Sequence, residues 1–152
     1  MNIINKRQYY FKPKQIQQFL MLFEEDYIPS TIIIYEKRMD LFKNLFPILL
    51  DLFTIILGKD EGHFYMTSDL ICIFVFSEND DGDNNQSYQL YSLHALCHEL
   101  RHRHQWANKF KLSEDEEEKD ADNFATNFMK DNSKKIKKIM KWKNEWEVEE
   151  GD

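Results

Sequence analysis

Four of the five histidines in this chain fall between residues 94 and 104, and two of them frame the run His98-Glu99-Leu100-Arg101-His102. Residues four apart on an α-helix stand one above the other on the same face. On a helix, His98 and His102 therefore present their ring nitrogens to one point. Imidazoles so placed suit zinc, whose catalytic sites take three protein ligands and leave a position for water. Glu99, beside the first histidine, stands where a carboxylate can take a proton from a water that the metal polarises. The pattern HExxH on a helix is the signature of zinc peptidases, with the glutamate as general base. Glu99 is thus the candidate catalytic base, and His98 and His102 are candidate ligands of Zn2+.

Two imidazoles need a third ligand. A metzincin continues the motif with a glycine and a third histidine, but Gln105 and Asn108 occupy those positions here. Further on, Glu118-Lys119-Asp120-Ala121-Asp122 lies in a second helical pattern. Glu118 can close the ligand set. Asp122, one turn later, can accept a hydrogen bond from the far nitrogen of a ligand histidine and fix its tautomer. The small Ala121 lets two helices come close. Glu116, Glu117 and Asp120 are alternative third ligands; Glu118 ranks first because it shares a helix face with Asp122 and Ala125. Tyr88, Tyr91 and His94 are candidates for touching substrate or a developing oxyanion, and His94, one turn before His98, is also a candidate support or extra ligand. Cys97 points about 100° away from His98 and reads as a buried structural thiol. His104 lies on another face and reads as solvated.

HExxH followed by a helix carrying ExxADxFA resembles the gluzincin metallopeptidases. In compactness the chain is similar to the ImmA/IrrE-type family of minimal metallopeptidases. The matching residues are His98, Glu99, His102, Glu118, Ala121, Asp122, Phe124 and Ala125, within residues 88–130. The resemblance implies a minimal zincin-like domain in which Glu118 completes the zinc ligands and Glu99 is the base. For ImmA/IrrE-type members it also implies intracellular cleavage of a regulatory protein such as a DNA-binding repressor. Arg101 stands where a small residue is usual, where it would crowd the cleft or meet substrate. Asp122 replaces the asparagine of the ImmA/IrrE motif, and Asn127-Phe128-Met129-Lys130-Asp131 stands where Leu-Leu-Met-Pro often follows.

The elements that must position these residues follow from periodicity. Residues 13–27 read as a helix opened by Pro13, with Ile16, Phe19, Leu20 and Phe23 on one side. The β-branched run 31–35 reads as a buried strand. Residues 38–57 read as a helix kinked at Pro47. Two β-rich runs, 63–67 and 70–76, separated by Ser68 and Asp69, suggest a hairpin, and 70–76 could offer its backbone to an extended substrate. Residues 77–87 are a polar loop that fails as a calcium-binding EF-hand loop, since Tyr88 stands at the closing glutamate position. The motif helix spans 88–110. Ser113 with Glu116 forms a capping box that opens a helix over 114–131. Residues 133–150 read as a basic amphipathic helix, whose lysines have the acidic run 114–120 as an internal partner.

The expected fold is α+β: a single domain over 1–152, with a small sheet or hairpin packed against the HExxH helix, metal-site helices over 88–131 and a helix-rich C-terminal half. Hydrophobic residues make up 42% of the 152 residues, with only 4 glycines and 3 prolines, which suits a folded, helix-heavy chain. Two isolated cysteines form no disulfide framework and point to a reduced, cytoplasmic setting. The longest apolar run, 45–57, is interrupted by Asp51 and is too short to span a bilayer. A net charge of −7 disfavours direct nucleic-acid binding. The function that emerges is a zinc metallopeptidase, a hydrolase acting on a protein or peptide. The alternative is a catalytically weak regulatory protein of the same fold, with a structural or vestigial zinc site and a C-terminal helix that carries the interaction. Glu99 favours the enzyme, because a merely structural site needs no carboxylate there.

Overall fold

The computed structural model describes residues 1–37, 40, 61–75 and 85–146. The helix expected over 38–57, apart from Asp40, and most of the polar loop expected over 77–87 lie outside these residues. What they form is an α+β architecture: four strands in one mixed sheet and four α-helices.

The sheet runs in the order β1 (Asn2–Ile4), β2 (Thr31–Tyr35), β4 (Leu70–Phe74), β3 (Gly62–Tyr65). β1 and β4 flank β2 in parallel, with Ile33 opposite Cys72, and β3 closes the sheet antiparallel to β4. Both central strands read as unbroken apolar runs because both of their faces are buried. Ile32, Ile34, Ile71 and Ile73 face the main core, while Ile33, Tyr35, Leu70, Cys72 and Phe74 form a second cluster on the opposite face. The expected hairpin is present but shorter. Strand β3 ends at Tyr65, Met66–Ser68 make a 3-10 turn, and Asp69 takes the left-handed conformation (φ 46°) that returns the chain into β4. Aspartate tolerates that region because its short side chain bonds locally, and here the carboxylate accepts from Ser30 N and Oγ at 2.9 and 2.8 Å.

The first helix, α1 (Pro13–Leu20), begins at Pro13 as expected but ends seven residues before Tyr27, the end expected for it. The chain leaves the helix so that Phe23 can stack on Phe128 (3.9 Å) and Tyr27 on Phe124 (5.2 Å). These are tertiary contacts that local periodicity does not report.

The motif helix, α2 (Asn85–Ala107), lies on the sheet and along α3 (Glu114–Asp131). Leu93, Leu96 and Leu100 are almost fully buried in the main core with Ala125 and Met129 of α3. Each such leucine contributes roughly 2 kcal/mol of burial. Ala121 and Ala125 have no exposed surface, and their small side chains set the spacing of α2 and α3. At the start of α3, Glu116 accepts from both Ser113 N and Ser113 Oγ at 2.8 Å.

The last helix, α4 (Ser133–Met140), is much shorter than the 133–150 expected. Lys141 adopts the left-handed conformation (φ 60°, ψ 36°), which ends the helix and turns Trp142 inward. The buried indole needs a partner for its N–H, and Nε1 donates to Gln89 Oε1 at 2.6 Å. Ile136 and Met140 are buried, while Lys134, Lys135 and Lys138 face water. Lys137 pairs with Glu145 on the chain's own C-terminal segment rather than with the acidic run 114–120. Among the described residues no helix is long and apolar enough to cross a membrane.

Candidate metal centre

Helix α2 carries His98 and His102 one turn apart on the side facing α3, and Glu118 of α3 comes up opposite them. The three donor groups meet closely. Nε2 of His98 lies 2.9 Å from Nε2 of His102, and the two Glu118 oxygens lie 3.2 Å from one imidazole each. Ligand atoms on a common tetrahedral zinc ion, at about 2.0–2.1 Å each, stand about 3.3 Å apart, close to the 2.9–3.2 Å seen here. The donor set, two imidazoles and one carboxylate, fits that ion.

Which nitrogens carry protons can be assigned from their partners. His98 Nδ1 lies 2.8 Å from Asp122 Oδ1, and a carboxylate can only accept, so Nδ1 donates. His102 Nδ1 lies 2.9 Å from Gln105 Oε1. The amide nitrogen of Gln105 donates to Glu117 O at 3.0 Å and to Asp120 Oδ2 at 2.8 Å. Its oxygen therefore faces His102, whose Nδ1 must also donate. With both rings neutral, two Nε2 lone pairs and the Glu118 carboxylate point at one another with no donor among them. Such a cluster of acceptors could hold a metal ion.

The other candidate residues divide into two groups. Glu99 borders the same cleft and is 9% exposed. Room for it comes from Gly62 on β3, where a Cβ would lie 2.9 Å from Glu99 Cγ. His94 also borders the cleft, its Nε2 3.2 Å from Thr126 Oγ1. Burial pushes the His94 imidazole below the usual histidine range and the proximity of His98 adds to this, with Asp122 opposing. Tyr88 and Tyr91 do not border the cleft. Tyr88 packs on Tyr10 at 5.3 Å, and Tyr91 is half exposed, two turns before His98.

Several readings are corrected by packing. His104 is not solvated: its ring stacks on Tyr27 at 4.1 Å and its Nε2 pairs with Asp26 at 3.0 Å, leaving the side chain 14% exposed. Arg101 faces away from the cleft, lodged between the rings of Phe110 and Phe124 and bonded to Asp120. Strand 70–74 cannot pair with a substrate, because β2 and β3 occupy both of its edges. Among the described residues β3 is the edge strand on that side of the sheet, and its residues Gly62, His63 and Phe64 line the cleft. Of the alternative third ligands, Glu116 is taken by Ser113 and Asp120 by Arg101. Cys97 is fully buried, and burial raises its thiol well above the usual range.

Two contributors were not foreseen. In the sequence Gln105 stands out only as a departure from the metzincin pattern, although its place three residues after His102 puts it on the ligand face. His63 has no local signal at all, since only the pairing of β3 with β4 brings it to the cleft. No protein-family model matches the chain, and neither a curated protein nor a solved structure matches it.

Proposed function

We propose that this chain is a zinc-dependent peptidase of the gluzincin kind, a minimal zincin-like domain, with His98, His102 and Glu118 as metal ligands and Glu99 as general base. The observation that carries this reading is the convergence of three acceptor atoms within 4.8 Å of one another, with both outer imidazole nitrogens committed as donors. The resemblance of His98-Glu99-Leu100-Arg101-His102 and Glu118-Lys119-Asp120-Ala121-Asp122 to the HExxH and ExxAD motifs supports it further.

Zinc, when bound, would supply a Lewis acid that lowers the pKa of water and polarises the scissile carbonyl. The chain does the rest. Glu99, confined beside Gly62, takes the proton of the attacking water and passes it to the leaving amine. Asp122 holds His98 in the tautomer that turns Nε2 to the metal. The outer edge of β3 offers backbone groups to an extended peptide. Trp106, Phe110 and Met66, all partly exposed at the cleft, form an apolar shelf for one of that peptide's side chains.

The experiment is metal content by mass spectrometry, with cleavage of a peptide library read beside it. Wild type is expected to carry one zinc per chain. His98→Ala and Glu118→Ala should lose it, and Glu99→Gln should keep it while hydrolysis falls roughly 10²–10⁴-fold. A wild type that takes up no zinc even on loading would sink the proposal. Zinc retained in Glu118→Ala would remove Glu118 from the ligand set.

A further inference from the structure

Helix α2 supplies two of the proposed ligands and helix α3 the third, so the donor set exists only while the two helices hold one register. We infer that Gln105 sets that register for His102: it is a positioning residue that clamps the second ligand histidine to α3, and Arg101 holds the clamp through Asp120. The inference rests on the zinc reading of the site.

The chain of contacts is continuous. His102 Nδ1 donates to Gln105 Oε1 at 2.9 Å. Gln105 Nε2 donates to the Glu117 carbonyl at 3.0 Å and to Asp120 Oδ2 at 2.8 Å, both on α3. Asp120 in turn receives Arg101 Nε at 2.7 Å and Nη2 at 3.2 Å, the two-pronged geometry that fixes a carboxylate's plane as well as its distance. Arg101 is itself immobilised, with its guanidinium 5.1–5.4 Å from the ring centres of Phe124 and Phe110 and Nη1 donating to Tyr27 Oη at 2.8 Å.

Three features separate this arrangement from ordinary helix packing. Gln105 is 3% exposed, and a buried amide is costly unless its hydrogen bonds are made. Here both amide protons go to α3, leaving only the oxygen for the imidazole. Glu117, the carbonyl partner, immediately precedes Glu118, so the same clamp that orients His102 also fixes the backbone from which the third ligand springs. Finally, the two imidazoles are held differently. His98 is oriented by Asp122, whose side chain is 67% exposed, whereas His102 is oriented by a neutral amide out of contact with solvent. Solvent and salt can loosen the first support but not the second, which makes Gln105 the more rigid of the two.

The decisive variant is Gln105→Met, which keeps the length of the side chain and removes its hydrogen bonds. Zinc affinity would be measured by competition with a chromophoric chelator, the visible spectrum of the cobalt-loaded full chain would report ligand geometry, and melting of the metal-free protein would report folding. The expected result is zinc affinity weakened roughly 10- to 100-fold and a changed cobalt spectrum, with the metal-free melting curve near that of wild type. Wild-type affinity and spectrum in Gln105→Met, beside a wild type that loads zinc, overturn the clamp and leave the zinc site standing. A wild type that loads no metal overturns both. If Gln105→Met fails to fold, the wild type itself decides. Imidazole nitrogen correlations in the metal-free chain should give His102 as the Nδ1–H tautomer, and an Nε2–H tautomer refutes the clamp.

Discussion

The two histidines of the HExxH run differ less in themselves than in what holds their outer nitrogens: a surface carboxylate for His98, a buried amide for His102. Glu99 depends on a neighbour of another kind. Its Cγ lies 2.9 Å from where a Cβ on residue 62 would be, and Ile73 Cδ1 lies 3.1 Å from the same point. Glycine is needed at residue 62 for this close approach. In Gly62→Ala the methyl group must displace Glu99, because Glu99 Cγ would stand closer to it than non-bonded carbon atoms approach. Peptide hydrolysis is expected to fall on the order of 100-fold, the scale of a misplaced catalytic group, while zinc affinity stays within a few-fold of wild type. Equal losses in both would mean that the substitution disturbs the whole site rather than Glu99.

At the scale of elements, the hairpin that carries Gly62 is tied to the motif helix through Asp69. Arg103 Nε of α2 donates to Asp69 Oδ1 at 3.0 Å, and Ser30 donates to Oδ2. Burial pushes the Asp69 carboxyl upward, but the bonds from Arg103 and Ser30 outweigh it and hold the group below its usual range. A carboxylate with a lowered folded-state pKa stabilises the fold above its unfolded pKa, and that contribution is lost as pH falls through the folded value. Asp69→Asn keeps a residue that tolerates the left-handed backbone, removes the charge and leaves one accepting oxygen where the carboxylate has two. The variant should therefore be less stable than wild type at neutral pH, with the gap closing as pH drops below about 3.9. Urea midpoints across pH check this; a gap that stays constant would show that charge is not its source.

For the whole molecule, a metal that joins α2 to α3 would add to folding stability, since an ion that binds the folded chain alone shifts the equilibrium toward it. Zinc held at about 100 times its dissociation constant adds about 2.7 kcal/mol, which for a chain of this size raises Tm by roughly 5–10 °C. A chelator should lower Tm by the same amount in wild type and leave His98→Ala unmoved. Equal chelator sensitivity in wild type and His98→Ala would put the metal's effect elsewhere in the chain.

The sequence by itself determined the candidate ligand set and the helices that carry it. The spacing of His98 and His102, the ExxAD run and the Ser113–Glu116 cap are local patterns, and a helix's 3.6-residue period translates them directly into shared faces. The buried strands at 31–35 and 70–74 were legible for the same reason, as short β-branched runs. The tertiary structure alone decided what those patterns meet. That Arg101 turns to Asp120, that His104 lies on Tyr27, and that Trp142 ends α4 at Met140 are contacts between elements distant in the chain. So is the place of β3 at the sheet edge beside the cleft, where the run 70–76 was expected to offer its backbone. Periodicity reports which face of an element is apolar but not which element covers it. A polar residue such as Gln105 acquires its role only when both of its amide hydrogens find α3 and its oxygen is left for a histidine.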